Sequence, residues 1–430
     1  MSNLILNTDS YKTSHFSLYP NNCTGQFSYI EARTPNKKIV PFGITLFIKK
    51  YLLNKITLDD VFEAEELLKN HGLPFNKDGW LKIINEYDGY LPLSIKAIPE
   101  GSLVNSLEPI VTIESTDEDL FWLPSYIETV LQRAIWFPTT IASNDYQNYQ
   151  VLKKYYEETS DHQELLQFAL HDFSARGVSS EETSEIGSLA HLLYFRGTDA
   201  LSGILAGRKY YNCDMAGFSI PATEHSVQCA YGNENQTTYI EACLNNHNMI
   251  SIVLDGYDIF RETYTLSEFK DTIVGNNKTV VLRPDSGDPF VVLPQLFTTL
   301  EEKFGYTLNS KGYKVLNNVK IIQGDGIDSD MIVKLCEMVK QLGFSAEMLV
   351  YGSGGGLIQK VNRDTYSFAQ KTSAMKINGL WVDTVKNPIT DSGKKSKGGL
   401  LHDDRMIEYY NNGKLLINET LDTIRNRLSH

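Results

Sequence analysis

The sequence predicts an α/β protein, and three observations carry that expectation. Between about residues 250 and 356, compact apolar runs alternate with polar or glycine-rich turns and amphipathic segments, the rhythm of βα units. Polar or glycine residues follow the apolar part of each run: Asp255, Arg283, Asp285, Asp325 and Gly352 to Gly356. Nearer the amino end, residues 91–115 (LPLSIKAIPEGSLVNSLEPIVTIES) alternate apolar and polar positions between Pro and Gly breakers, as short antiparallel strands do.

In order, the four runs are SIVLDG (251–256), TVVLRPDSG (279–287), VKIIQGDGID (319–328) and AEMLVYGSGGG (346–356). LPQLFTTLEEKFG, between the second and third, reads as an amphipathic helix. MIVKLCEMVKQLG, between the third and fourth, puts Ile332, Leu335, Val339 and Leu342 on one helical face and stops at Gly343, a C-terminal cap. Parallel strands flanked by helices form a closed barrel or an open doubly wound sheet. The polar residues after the strands favour a barrel whose rim is the place to look for chemistry, although an open sheet also binds ligands at strand carboxyl ends. No internal repeat or low-complexity linker divides the chain.

The 430 residues are 42% hydrophobic and 22% charged, an ordinary globular composition with length for one large domain and a smaller one. A formal net charge of −13 argues against nucleic-acid or anionic-membrane partners, so any phosphate ligand must be held by a local site. Cys23, Cys213, Cys229, Cys243 and Cys336 form no CxxC pair and read as reduced thiols of a cytoplasmic protein. The start, MSNLILNTDSYK, has no basic region followed by an apolar run, and no stretch approaches the roughly 20 apolar residues of a membrane span. No histidine stands at metal-ligand spacing from another His or Cys, and GxSxG is missing.

GSGGG (352–356) lets backbone approach an anion closely, with Arg363 and Lys371 downstream; a flexible turn is the alternative. RPDSG (283–287) places a cation and a carboxylate just after a strand, for phosphate and ribose respectively, or else forms a simple turn. QGDG (323–326) offers the same choice at Asp325. In HDFSARGVSSEET, Ser179 and Glu182 have capping-box spacing, and Arg176 just ahead of that helix start makes an anion site. Thr198 reads as an N-cap beside Asp199. His225, next to Glu224, could be oriented by Asp255.

Read together, TDSYK (8–12), LHDFSARGVSS (170–180), FRGTDA (195–200), FSIPATEHS (218–226), VLRPDSGDP (281–289), IIQGDGID (321–328) and YGSGGGLIQK (351–360) closely resemble the nicotinamide phosphoribosyltransferase family. The match is collinear from about residue 5 to 425. It implies a type II phosphoribosyltransferase fold: an irregular α/β barrel (136–375) and a smaller α+β domain built from both chain ends (1–135 plus 376–430). It also implies a homodimer with active sites at the subunit interface, where Tyr11 of one subunit and Phe173 of the other sandwich the pyridine ring.

By the same resemblance, Asp199 accepts a hydrogen bond from the carboxamide of nicotinamide, and its charge repels nicotinate. Arg176, Arg283 and His225 match positions around the pyrophosphate; Asp285, Gly324 and Asp325 match the ribose region. Gly354, Gly355 and Arg363 match the phosphate region, and Lys371, Lys394 and Lys395 present basic side chains to phosphates, Lys395 replacing an Arg of some relatives. The implied reaction transfers the phosphoribosyl group of phosphoribosyl pyrophosphate to nicotinamide. Mg²⁺ is expected to be held mainly by substrate phosphates, with no protein metal ligand assigned. The family also hydrolyses ATP through a phosphohistidine, which matches His225 with Asp255 orienting it, so the expected catalytic residues are His225, Asp255 and Asp285. An insertion is missing around Thr34 to Val40 and the 399–408 segment is abbreviated; neither change removes a matched residue. Two alternatives stand beside this reading, a nicotinate phosphoribosyltransferase and a catalytically silent binding or signalling protein of the same fold.

Overall fold

The computed structural model describes residues 3–390 and 395–428. They form two compact units of nearly equal size, one from residues 3–143, 207–213, 361–390 and 395–428, the other from residues 144–206 and 214–360.

The first unit is built on a seven-stranded antiparallel sheet, in spatial order Leu380–Asp383, Ala369–Ile377, Cys23–Glu31, Pro109–Ser115, Leu93–Ala97, Ile407–Asn411 and Lys414–Leu415. Strands from both chain ends interleave: Tyr29 lies opposite Lys371 on one side and Thr112 on the other. The alternating segment at 91–115 supplies two of the central strands. One face of the sheet packs on a core that includes Trp80, Trp122 and Tyr126, whose rings meet edge-on at centroid distances of 5.1–5.4 Å.

The second unit holds a six-stranded parallel sheet in the order Gly197–Thr198, Leu170–Asp172, Leu349–Ser353, Val319–Gln323, Thr279–Arg283 and Met249–Val253. The last four are the runs read from the sequence. Helices cover the sheet because their apolar faces have nowhere else to go: Ser329–Gln341 buries Ile332, Leu335, Cys336 and Val339, and Pro289–Phe304 buries Leu293, Leu296, Phe297 and Leu300. Gly343 after the first of these has φ 82°, the left-handed conformation that ends a helix.

The sheet curls into a barrel, and the two edge strands are joined through an irregular segment. Gly197 bridges to Phe218, and Ala222 bridges to Ser251, both in parallel sense. Thr198 N–H donates to the Phe218 carbonyl at 3.0 Å, and Ser251 N–H to that of Pro221 at 2.8 Å. Residues 218–223 therefore act as a seventh stave. A buried hydroxyl network pins it: Thr223 Oγ1 and Tyr239 Oη lie 2.7 Å apart, Tyr239 donates to the Val253 carbonyl, and Val253 N–H donates to Thr223 Oγ1.

Candidate active site

The strand carboxyl ends bring the polar residues singled out in the sequence to one rim. Leu170–Asp172 leads to Phe173, Gly197–Thr198 to Asp199, Met249–Val253 to Asp255, Thr279–Arg283 to Asp285, Val319–Gln323 to Gly324 and Asp325, and Leu349–Ser353 to Gly354 and Gly355. Below this rim a cavity of about 360 Å³ runs through the barrel interior. Phe173, Asp199 and Arg283 line its rim end, Met249, Thr279 and Lys320 its other end, where the strands begin. Most barrels of this kind fill their interior with side chains; this one keeps a hole large enough for a small ligand.

Phe173 is anchored to the neighbouring strand end. Its N–H donates to the Ser353 carbonyl at 2.9 Å, and its ring lies where a side chain on Gly352 would be: a Cβ there would come within 2.1 Å of Cε2. The first glycine of GSGGG thus makes room for an aromatic ring, a role the sequence does not reveal. Asp199 is exposed at the cavity mouth and accepts the Ser219 hydroxyl at 2.6 Å. His171, also lining the cavity, is pushed down to about 4, chiefly by burial, so it is a neutral imidazole at neutral pH.

His225 is the first residue of the helix His225–Ala230, and its Nε2 lies 3.0 Å from Asp255 Oδ1. The other oxygen of the same carboxylate accepts the Asp285 N–H at 2.9 Å and the Ser286 hydroxyl at 2.7 Å. Asp255 therefore ties the histidine to the RPDSG loop while its own side chain is only 4% exposed. With Nε2–H given to Asp255, Nδ1 keeps a free lone pair. Arg283 carries a buried Nε with no hydrogen-bond partner in the described residues, an unspent donor on a cation at the cavity wall. Arg176 and Asp325 are exposed on their loops. The helix after Arg176 is capped by Ser180, not Ser179: Ser180 Oγ accepts the Thr183 N–H, while Ser179 N–H is engaged by Gln359.

In the unit formed from both chain ends, Tyr11 is 58% exposed on the helical turn Ser10–Ser17 and packs edge-on to His15 at 5.2 Å. Lys371, on Ala369–Ile377, is pulled below the usual lysine range by burial; Glu128 opposes that, and Arg33, Lys386 and Arg363 add to it. Arg33 and Lys386 are cations that sequence reading missed, because they join Lys371 only through strand pairing between the two chain ends. Arg363 pairs with exposed Asp364 at 2.8 Å, and Lys395 is exposed. Lys394 lies outside the described residues. The far end of the cavity was also unforeseen: Lys320, lowered by burial, sits 3.9 Å from Glu347.

Residues 168–414 match the nicotinate phosphoribosyltransferase (NAPRTase) family, and residues 3–95 match the nicotinamide phosphoribosyltransferase N-terminal domain. The chain is 40% identical to nicotinamide phosphoribosyltransferase of Xanthomonas campestris pv. campestris (strain 8004), over 99% of this chain and 98% of that protein. It is 33% identical to the protein of the same name from Mycoplasma pneumoniae, over 94% and 97% of the two chains. Among solved structures, human nicotinic acid phosphoribosyltransferase aligns with TM-score 0.61 at 12% identity, covering 98% of this chain and 92% of that one. Nicotinate-nucleotide pyrophosphorylase from Pyrococcus furiosus aligns with TM-score 0.59 at 14% identity, covering 99% and 95%. These two likenesses concern the fold.

Proposed function

The chain belongs to the nicotinamide phosphoribosyltransferase family, and from that premise we propose how its rim carries out the reaction. The enzyme transfers the phosphoribosyl group of phosphoribosyl pyrophosphate to nicotinamide, giving nicotinamide mononucleotide and pyrophosphate in NAD salvage. The single observation that best supports the site assignment is the cavity mouth, where an aromatic face (Phe173), a carboxylate (Asp199) and an unspent guanidinium donor (Arg283) meet.

In this reading the pyridine ring lies on Phe173 and the carboxamide N–H donates to Asp199, whose second oxygen is held by Ser219. A nicotinate carboxylate would face Asp199 charge to charge, which disfavours it. Nicotinamide N1 attacks the anomeric carbon as its bond to the pyrophosphate oxygen breaks, so positive charge grows on the ribose and negative charge on the leaving group. Arg176 and Arg283 stabilise the departing pyrophosphate, Asp285 and Asp325 hold the ribose hydroxyls, and Lys371, Arg363, Lys394 and Lys395 serve the phosphates. No protein nucleophile is needed, and positioning supplies much of the acceleration. Mg²⁺ would be held mainly by the hard phosphate oxygens of the substrate, with no protein ligand assigned. Bound there, the ion neutralises leaving-group charge.

ATP enters at His225. Nδ1, left with a lone pair by the Asp255 contact, attacks the γ-phosphorus as the bond to ADP breaks, while Asp255 keeps the Nε2 proton and stabilises the charge on the ring. The active enzyme is a cytoplasmic homodimer in which Tyr11 of the second subunit covers the other face of the pyridine. Exposed Tyr11, and the exposed Leu201 and Leu205 beside Asp199, support a covered mouth. Five free cysteines support the compartment.

The test is product formation from phosphoribosyl pyrophosphate and Mg²⁺ with nicotinamide or nicotinate, each with and without ATP. Nicotinamide preference with ATP stimulation is expected; preference for nicotinate overturns the role of Asp199, and no product with either base overturns the enzyme reading. For shared sites, inactive Tyr11→Ala and Asp199→Ala chains mixed at equal amounts should recover about a quarter of wild-type sites, since half the dimers are mixed and each of these has one intact site. No recovery would show that both residues act within one subunit.

A further inference from the structure

Asp172 is a carboxylate with no exposed surface, placed between the two residues proposed to hold the base. It belongs to Leu170–Asp172, directly before Phe173, and its strand pairs in parallel with Gly197–Thr198, directly before Asp199. Burying an ionised group is costly unless it is well hydrogen-bonded, and the partners found here are specific. Oδ1 accepts the Ser174 N–H at 2.8 Å, just past Phe173. Oδ2 accepts the Thr198 hydroxyl at 3.2 Å, just before Asp199. The Asp172 carbonyl accepts the Asp199 N–H at 3.0 Å, and Thr198 Oγ1 accepts the Ala200 N–H at 2.9 Å, so Asp199 is bracketed on both sides.

We propose that Asp172 is a positioning residue that fixes the pyridine-stacking ring of Phe173 and the amide-reading carboxylate of Asp199 relative to each other, and thereby sets the preference for nicotinamide. This rests on the base-binding reading of Phe173 and Asp199 given above. The chemistry requires an acceptor-only group. Two donors converge, one from the turn after Phe173 and one from the strand end at Thr198, and an ionised carboxylate offers an oxygen to each, whereas the isosteric amide offers one oxygen and keeps the second contact only if the Thr198 hydroxyl reverses to accept from its NH₂. Thr198 is engaged twice: its hydroxyl donates to Asp172, which as a carboxylate can only accept, and its oxygen accepts the Ala200 N–H. The result is a clamp on two adjacent strand ends, made by a residue that touches no substrate. Building a site on strand ends and locking it with buried hydrogen bonds is how geometry is held to fractions of an ångström.

The experiment compares Asp172→Asn, Thr198→Val, Thr198→Ser and Asp199→Ala with wild type, measuring KM for nicotinamide, KM for phosphoribosyl pyrophosphate, kcat and the nicotinamide-to-nicotinate ratio. Each buried hydrogen bond lost corresponds to about a tenfold change, and Thr198→Val removes two, the one to Asp172 and the one from Ala200 N–H. Thr198→Val should raise the nicotinamide KM at least about tenfold and lower the base ratio, Asp172→Asn should act in the same direction by about tenfold or less, both should leave the phosphoribosyl pyrophosphate KM within about twofold, and Thr198→Ser should restore wild-type values. If Asp199→Ala leaves nicotinamide binding unchanged, the base-site reading fails and this proposal with it. If Asp199→Ala weakens binding but Thr198→Val does not, or if Thr198→Ser fails as Thr198→Val does, or if both substrates' KM values rise together, the base-site reading survives and the clamp is refuted. Should Asp172→Asn not fold, the Thr198 pair decides alone.

Discussion

Asp255→Asn is the substitution that most directly separates the phosphoryl transfer proposed for His225 from nucleotide synthesis. The wild-type carboxylate accepts from His225 Nε2 on one oxygen and from Asp285 N–H and Ser286 Oγ on the other. An asparagine has one acceptor. Two donors meet on the loop side, so its oxygen stays there and its NH₂ turns to the histidine. It then donates to Nε2, which forces the ring proton onto Nδ1 and removes the lone pair needed for attack. A charge-assisted hydrogen bond is worth roughly 1.5–3 kcal/mol, and reversing the tautomer adds to that. At tenfold per 1.36 kcal/mol the phosphorylation rate should fall about 10³- to 10⁴-fold, as a wrong histidine tautomer does in serine proteases. The assay is single-turnover incorporation of labelled γ-phosphate into the protein, alongside ATP-free formation of nicotinamide mononucleotide. Because the loop contacts are kept, ATP-free synthesis should drop less than about tenfold. Labelling at the wild-type rate would refute the assignment of Asp255, and equal loss of both activities would refute the separation.

Gly352→Ala places a Cβ within 2.1 Å of Phe173 Cε2; the ring must leave the mouth, and the nicotinamide KM should rise at least about tenfold, read by steady-state kinetics, with an unchanged value contradicting the stacking role. Asp199→Asn removes the charge that opposes nicotinate, so the ratio of kcat/KM for the two bases should shift toward nicotinate by about one order of magnitude or more; an unchanged ratio means that discrimination lies elsewhere. Glu100, fully buried beneath Gly43 N–H, Thr45 and Tyr211, is pushed up to about 7, chiefly by burial. Since the folded state binds that proton more tightly than the unfolded chain, its contribution is full below the ordinary carboxylate range and is lost as pH rises through about 4.5 to 7, by up to about 3 kcal/mol. Denaturant titrations at pH 5 and pH 8 should show a smaller loss in Glu100→Gln than in wild type, and parallel losses would remove Glu100 as the cause.

Four of the parallel strands were legible because fully buried strands leave a clear trace, whereas closure into a barrel was only favoured over an open sheet. TVVLR and VKIIQ are largely apolar runs, and the acidic residue shortly after each, Asp285 or Asp325, has to face solvent at the rim. The helix around Leu335 was legible for the same reason of period. The seventh stave was not: FSIPATE carries Pro221 and pairs at isolated points, so neither period nor strand propensity marks it. The cavity was equally hidden, since a strand facing a hole and a strand facing packed neighbours bear the same residues. Arg33 and Lys386 could be found only through the register that brings them to Lys371, and the role of Gly352 only through the ring beside it.

That seventh stave makes the barrel a hoop with a clasp. Elsewhere around the circle neighbouring strands share runs of two to five paired positions, but Phe218 and Ala222 each meet their neighbour at a single bridge. Free energies of local opening follow such differences in pairing, so the hoop loosens along this one line before any other. The clasp also carries cargo at each end, Ser219 on Asp199 and His225 on Asp255. Undoing it would slacken Asp199 and His225 in a single movement, while the four central strands between them stay closed.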